Sequence, residues 1–242
     1  KEPVNSIDVN VTGTVNVLEA SRLANVRRII FASSGAVYEN NTKFPCVEDD
    51  PINPNLIYSM SKSFCEKLCN SCSQLYGMEV CITRYYNVYG PHQDIKRTSP
   101  PFVAYLIKEL LQNKKPILHS NGEQQRDYVY IDDVNELNLL CMTHPNAKDQ
   151  IFNVSSGIAT SVNQIYNIVA SNLNSNIKPI FRDSKKIWDK YPSLFDRKYH
   201  LNEKRIEEET EKFTLGNVEK AEKLIGWKAT TSIEEGLSKT IE

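Results

Sequence analysis

Tyr58 and Lys62 stand four residues apart in the run Tyr58-Ser59-Met60-Ser61-Lys62. On a helix that spacing puts both side chains on one face. A phenol becomes a useful base only if its pKa falls from about 10 toward neutrality, which takes ~4 kcal/mol of differential stabilisation. An ammonium one helical turn away is the kind of neighbour that can supply it. Two further runs bracket this pair. Ser33-Ser34-Gly35-Ala36-Val37-Tyr38 closes an apolar stretch with hydroxyls, and in an open parallel sheet ligands bind beyond the carboxyl ends of the strands. Arg84-Tyr85-Tyr86-Asn87-Val88-Tyr89-Gly90-Pro91 reads as a strand running into a loop. Each run alone is common. Serine occurs at many strand-to-loop junctions, Tyr-x3-Lys arises by chance in helices, and Gly-Pro closes many turns. Their order along one chain gives them weight.

The elements around these runs alternate in type. Residues 5–24 read as a helix with Ile7, Val11, Val15 and Leu18 on one apolar face. Ile29-Ile30-Phe31-Ala32 is an uninterrupted apolar run, which predicts a strand covered on both faces. Residues 38–56, with Pro45, Pro51 and Pro54, read as a loop. A helix is predicted from about Tyr58 to Tyr76 and is stopped by Gly77. Val80-Cys81-Ile82 gives the next strand and Ile151-Phe152-Asn153-Val154 a later one, with helical patterns near 102–113, 131–143 and 161–173. This alternation predicts an α/β fold with a doubly wound parallel sheet. From 183 to 212 the chain turns charged and irregular and reads as a solvated loop and helix face.

The bulk properties exclude several function classes. The 29 basic and 30 acidic residues are spread along the 242-residue chain, so no basic face points to nucleic acid. No stretch approaches the ~18 apolar residues of a membrane helix, and no secretory segment opens the chain. Cys65, Cys69 and Cys72 follow at i, i+4 and i+7 beside Phe64, Leu68 and Leu75, the stripe of a packed helix face rather than of a cluster-binding loop. Free thiols in a reducing compartment are the expectation, with a cytoplasmic location. His92, His119, His144 and His200 are scattered, and no pairing among them suggests zinc or another metal.

Taken together, Ser34, the Tyr58–Lys62 pair and Arg84-Tyr85-Tyr86-Asn87-x-Tyr89-Gly90-Pro91 resemble the extended short-chain dehydrogenases, the NAD-dependent epimerase/dehydratase family, and within it the UDP-glucose 4-epimerases. Upstream, Asn10-Val11-Thr12-Gly13-Thr14 with Val17-Leu18-Glu19-Ala20 is similar to the family's Asn-Val-x-Gly-Thr helix. Downstream, Arg126-Asp127 and Asp132-Asp133-Val134 resemble its Arg-Asp motif. Leu224-Ile225-Gly226-Trp227-Lys228 and Ser232 to Leu237 resemble its C-terminal signature. The likeness covers nearly the whole chain apart from 183–212. One departure is large: no Gly-x-Gly-x-x-Gly phosphate loop is present. The resemblance implies that roughly 70–80 residues, about half of a six-stranded dinucleotide fold, precede Lys1 in a complete protein. As written, the chain is then expected to bind NAD poorly, to be inactive alone, and to show a raw sheet edge prone to aggregation.

The resemblance implies an incomplete Rossmann-type dinucleotide-binding part at 1–90 and 127–155, interleaved with a smaller nucleotide-sugar substrate part at 91–126 and 156–242. It places Asn10, Ser34, Tyr58 and Lys62 as the catalytic set. Tyr58 removes the proton from the sugar 4-hydroxyl, Ser34 hydrogen-bonds that oxygen, and Lys62 holds the cofactor ribose. Asn10, Tyr58, Lys62 and Tyr86 then face NAD. Ser34, Tyr58, Asn87, Arg126 and Arg205 face the substrate, with Arg126 on the diphosphate, a task suited to a planar fork. Arg205 rests on a loose match. The reaction implied is 4-epimerisation of a UDP-hexose through a transient 4-keto sugar. The 4,6-dehydratases and UDP-glucuronate decarboxylases of the family carry acids just after the serine, where this chain has Gly35 and Ala36, which cannot move protons. A dehydratase or decarboxylase using acids from elsewhere, or a non-catalytic dinucleotide sensor, are the alternatives. The family also pairs helices equivalent to 5–24 and 57–77 across a two-fold axis, which implies a homodimer. Glu39 stands where the family usually has glycine, and the sequence offers no reason for it.

Overall fold

The computed structural model describes residues 3–97, 100–183, 186, 192, 195, 198–199 and 202–242, leaving out the side chains of residues 203, 205, 206 and 209. In chain order the elements are α1 (Pro3–Ile7), a π-helical turn (Asp8–Thr12), α2 (Gly13–Leu23), β1 (Arg28–Ser34), a 3-10 turn (Gly35–Tyr38), α3 (Ile57–Tyr76), β2 (Glu79–Tyr85) and β3 (Asn87–Tyr89). Then come α4 (Phe102–Leu111), β4 (Ile117–His119), β5 (Gln125–Tyr130), α5 (Ile131–Thr143), β6 (Gln150–Val154), β7 (Ala159–Ser161), α6 (Val162–Asn172) and β8 (Ile180–Arg182). The chain closes with α7 (Glu203–Glu211), α8 (Glu219–Ile225) and α9 (Ile233–Ile241). No helix among the described residues is long and apolar enough to cross a membrane.

Two compact units divide these elements. The first comprises 1–88, 127–158 and 215–231. Its sheet is parallel, in the order β1-β2-β6. Side chains alternate across β2, as the pleat requires. Cys81 turns to a cluster with Val134, Leu137, Cys141, Phe152 and Trp227, while Val80 and Ile82 turn to Leu18 and Cys69. Helices α5 and α8 thus cover one face of the sheet, and α2 and α3 cover the other. Cys65 and Cys69 are fully buried free thiols and Cys72 is half-buried, whereas Phe64 and Leu75 of the expected stripe are exposed. Helix α3 ends at Gly77, whose φ of 69° is left-handed and whose N–H bonds Ser73 O at 2.9 Å.

Three features differ from expectation. The helix at 5–24 is interrupted by the π turn, whose extra residue per turn shifts the frame at Asn10. Strand β1 is not covered on both faces: Ile29, Ile30 and Phe31 are half-buried and Ala32 is exposed, because β1 ends the sheet, with no strand on its other side among the described residues. The run 215–231, assigned from sequence to the substrate part, packs in the first unit, since Ala221, Ile225 and Trp227 fill the core beside Phe152. Trp227 also donates its indole N–H to Asp133 O at 2.9 Å.

The second unit comprises 89–126, 159–214 and 232–242. It holds α4, α6, α7, α9 and the parallel pair β4–β8. Helix α6 opens with a capping box in which Ser161 and Gln164 each bond the other's backbone N–H. Within the charged stretch 183–212, α7 is regular helix from Asn202, whose side chain caps it through Lys204 N.

Candidate functional site

Ser34 is the last residue of β1 and caps the turn that follows. Its Oγ accepts from Ala36 N at 3.1 Å, which leaves the hydroxyl hydrogen to donate elsewhere. Gly35 lies under Tyr86: a Cβ at position 35 would meet Tyr86 Cδ2 and Cε2 at 3.0 Å. Tyr86 therefore adjoins the Ser34 turn, and no side chain fits at 35 unless that ring moves. Burial pushes the Tyr86 phenol well above its ordinary range, so it serves there as a neutral wall.

Tyr58 and Lys62 sit in the first turns of α3. Tyr58 is 47% exposed. Lys62 donates from Nζ to Ala32 O at 2.9 Å on β1, two residues before Ser34, and lies 5.2 Å from the centre of the Phe31 ring. Burial lowers its pKa from the usual lysine value. The π turn brings Asn10 to the same place. Asn10 Nδ2 donates to Ser61 Oγ at 3.0 Å, and Ser61 donates on to Tyr58 O at 2.7 Å. Asn10 O in turn accepts from Thr14 Oγ1 at 2.6 Å and Cys65 Sγ at 3.4 Å. Asn10, Gly13, Thr14, Ala32 and Lys62 line a groove of about 400 Å³ between the helix and β1. An ammonium with hydrogens to spare beside an amide and a hydroxyl in a half-open groove is a donor set that fits the hydroxyls of a ribose. The residues present therefore fit the ribose end of a dinucleotide.

Beneath these groups lies a buried polar network that the sequence reading missed. Ser33 donates to Glu66 Oε1 at 2.5 Å, and Glu66 forms a two-point ion pair with Arg84, Nε–Oε1 at 3.0 Å and Nη2–Oε2 at 2.8 Å. Arg84 Nη1 also donates to Tyr38 Oη at 2.6 Å and Glu48 O at 2.8 Å, and Tyr38 donates to Asn153 Oδ1 at 2.9 Å. Burial opposes the charge on Arg84, but the Glu66 carboxylate outweighs it and holds the guanidinium protonated. Glu66 lies one turn after Lys62, and Arg84 opposes Ser33 in the β1–β2 register. The network therefore locks the strand end to the helix. The spacing Tyr-x3-Lys-x3-Glu carried the signal in the sequence.

Asp127 organises a second cluster in the first unit. It is fully buried, and its carboxylate accepts from Ser156 N at 2.7 Å, Ser156 Oγ at 2.9 Å, and the N–H groups of Gly157 and Gly216 at 3.1 Å each. Burial pushes its pKa up to about 6 against those hydrogen bonds. Its carbonyl accepts from Asn87 Nδ2 at 2.8 Å, which fixes the Asn87 side chain. Arg126, its chain neighbour, belongs to the second unit, where Nη1 donates to Gln125 O at 3.2 Å. Arg205 lies in α7, and its side chain is outside the described residues. Of the eight expected residues, the structure gathers Asn10 and Lys62 on one groove, ties Asn10 to the backbone of Tyr58 through Ser61, and sets Tyr86 beside the Ser34 turn. It holds Asn87 at Asp127.

A parallel sheet with α-helices on both faces, and a helix carrying Tyr-x3-Lys whose lysine bonds the strand that ends at Ser34, define a dinucleotide-fold dehydrogenase relative. Residues 1–240 match the family model described as GDP-mannose 4,6 dehydratase. The chain belongs to this NAD-dependent epimerase/dehydratase family. It is 34% identical over 242 residues to a putative UDP-glucose 4-epimerase of Methanocaldococcus jannaschii, covering 100% of this chain and 70% of that protein. It is 32% identical over 235 residues to the dTDP-D-glucose 4,6-dehydratase of Mus musculus, covering 97% and 60%. Among solved structures it superposes on the UDP-glucose 4-epimerase of Thermotoga maritima, solved with UDP-glucose, with a TM-score of 0.85 and 29% identity over 99% of this chain and 70% of that one.

Proposed function

We propose that the protein carries the reacting groups of an NAD-dependent nucleotide-sugar 4-epimerase. The observation that carries this reading is the packing at Gly35. The two positions after Ser34 hold no acid, and Tyr86 fills the space a side chain at 35 would need. Removing water from the sugar, or carbon dioxide from a uronate, calls for a further acid or base beside the 4-keto sugar. Inverting carbon 4 calls for none. The epimerases among the relatives above support the same choice, whereas the mouse dehydratase among them stands for the alternative chemistry.

In this mechanism the Tyr58 oxygen accepts the proton of the sugar 4-hydroxyl and later returns it. The free hydrogen of the Ser34 hydroxyl holds the same sugar oxygen, since its acceptor side is already used by Ala36 N. Lys62 stabilises the Tyr58 phenolate and holds the ribose of NAD, its ammonium kept in place by Ala32 O. Asn10 steadies the first turn of α3 through Ser61. Tyr86 and Asn87 would face the nicotinamide and the sugar diphosphate. Bound NAD would supply the hydride acceptor and donor for carbon 4, and inversion would require the 4-keto sugar to turn its other face toward it between the two transfers.

Incubating the full-length protein with UDP-glucose, UDP-N-acetylglucosamine or UDP-glucuronate should interconvert one of them with its 4-epimer. A 4-keto-6-deoxy product, or release of carbon dioxide, would overturn the reading in favour of the sister chemistries. Tyr58→Phe should lower kcat by about 10²–10⁴-fold, the usual share of a positioned acid–base group. Full activity in that variant would remove Tyr58 from the chemistry.

A further inference from the structure

Glu39 follows Tyr38 directly, and its side chain is buried, 9% exposed. Its Oε1 accepts two backbone hydrogen bonds, from Asn55 N at 2.6 Å and Leu56 N at 3.0 Å. Leu56 is the N-cap of α3, with no capping side chain of its own. Its carbonyl accepts the first bond of the helix, from Met60 N at 2.8 Å. Tyr58 is the second residue of that helix. At its other end Glu39 is tied to the Ser34 turn, for its own N–H bonds Ala36 O at 3.1 Å. Tyr38, the residue before it, is anchored by Arg84 and Asn153. One residue on, Asn40 Nδ2 repeats the bridge at Asn53 O, 2.5 Å away.

A single carboxylate therefore spans the turn that begins at Ser34 and the start of the helix that carries Tyr58. We infer that Glu39 is a positioning residue that sets the Tyr58 phenol relative to the Ser34 hydroxyl. The chemistry suits the task. One carboxylate oxygen accepts two N–H groups at once, and negative charge is favoured beside a helix N-terminus. Its two backbone bonds occupy Oε1 and hold it against the chain, which sets Glu39 apart from the acids that a dehydratase places after its serine. The inference rests on the reading of Tyr58 and Ser34 as the reacting pair.

Two variants of opposite character test it in the full-length protein. Glu39→Asp keeps the charge and retracts the oxygen by one methylene, whereas Glu39→Gln keeps the reach and an accepting oxygen and removes the charge. Glu39→Asp should lose about 10- to 100-fold in kcat, the scale of a displacement near 1 Å at a reacting group. Its pH–rate profile should move as well, and KM for the nucleotide sugar should hold. Glu39→Gln should keep kcat within about threefold and the parent pH profile. A Glu39→Asp enzyme with parent kcat and pH profile overturns the inference, as does a Glu39→Gln enzyme impaired as much or more. So does a change confined to thermal stability in both variants. Tyr58→Phe in the same assay separates the two levels. Turnover surviving in it sinks the reacting pair itself, whereas turnover lost in it while Glu39→Asp stays active sinks the role of Glu39 alone.

Discussion

Strands β1 and β2 are parallel neighbours of seven residues each, in unbroken register from Arg28–Glu79 to Ser34–Tyr85, yet their surroundings are opposite. In β2 the five residues from Val80 to Arg84 are all buried. In β1 only Ser33 is buried, and Ala32 is exposed. The difference follows from place in the sheet, for among the described residues β2 lies between β1 and β6 while β1 ends the order. The inner strand carries the charged Arg84–Glu66 framework in a fully packed setting. The end strand presents to the groove the carbonyl that holds Lys62. Accessible groups thus stand on a rigid support, the arrangement that holds a site to a fraction of an ångström.

The sharpest way to break this comparison is to remove the framework. Arg84→Met leaves Glu66 and the Tyr38 phenol buried without their partner and should cost about 3–5 kcal/mol. Urea denaturation checks this, and a loss below about 1 kcal/mol would show the pair to be replaceable by apolar packing. Next comes the apolar contrast. Ile82→Ala, in a residue 1% exposed, should lose about 2–5 kcal/mol, and Ile30→Ala on the half-buried strand distinctly less. Equal losses would erase the distinction between inner and end strand.

The smallest expected effect concerns the loops around Asp127. Asp127→Asn turns an amide toward the N–H groups of Gly157 or Gly216 and should cost about 1–3 kcal/mol. Because burial raises the folded-state pKa of Asp127 to about 6 from an ordinary 3.8, the folded chain binds this proton more tightly than the unfolded one. The stability from that proton is fully present below about 3.8 and is lost as pH rises through about 6. The advantage of the parent over Asp127→Asn should therefore grow on acidification from pH 7 to pH 4, as thermal midpoints at the two values would show. A gap that does not change with pH would place the Asp127 titration outside this window.

Much of the arrangement was legible in the chain. The helix at Tyr58–Tyr76, its stop at Gly77, and the strands through Val80–Ile82 and Ile151–Val154 follow from local periodicity and turn chemistry, which neighbours in space do little to alter. The cysteine stripe was read as packing for the same reason, and it holds in part: Cys65 and Cys69 are buried and Cys72 half-buried, but Phe64 and Leu75 beside them are exposed. The apolar run of β1 pointed to cover on both faces, which its residues have only in part, and the raw sheet edge that was also expected is present at β1 among the described residues. The run 215–231 was misassigned because Trp227 joins a core whose other members lie far away in sequence. Glu39 looked like an anomaly because its partners, Asn55 and Leu56, are reached only once the loop between them folds back.

The sequence by itself determined the residue types that can do chemistry, the helical spacing that puts Tyr58 and Lys62 on one face, and the α/β alternation, since all three depend on neighbours within a few positions. Tertiary structure alone decided that Arg84 pairs with Glu66, that Asn10 reaches Ser61 through a π turn, and that Glu39 clasps the start of the Tyr58 helix. Such contacts join segments far apart in the chain, and a buried charge finds its partner only where the fold excludes water and leaves it no other.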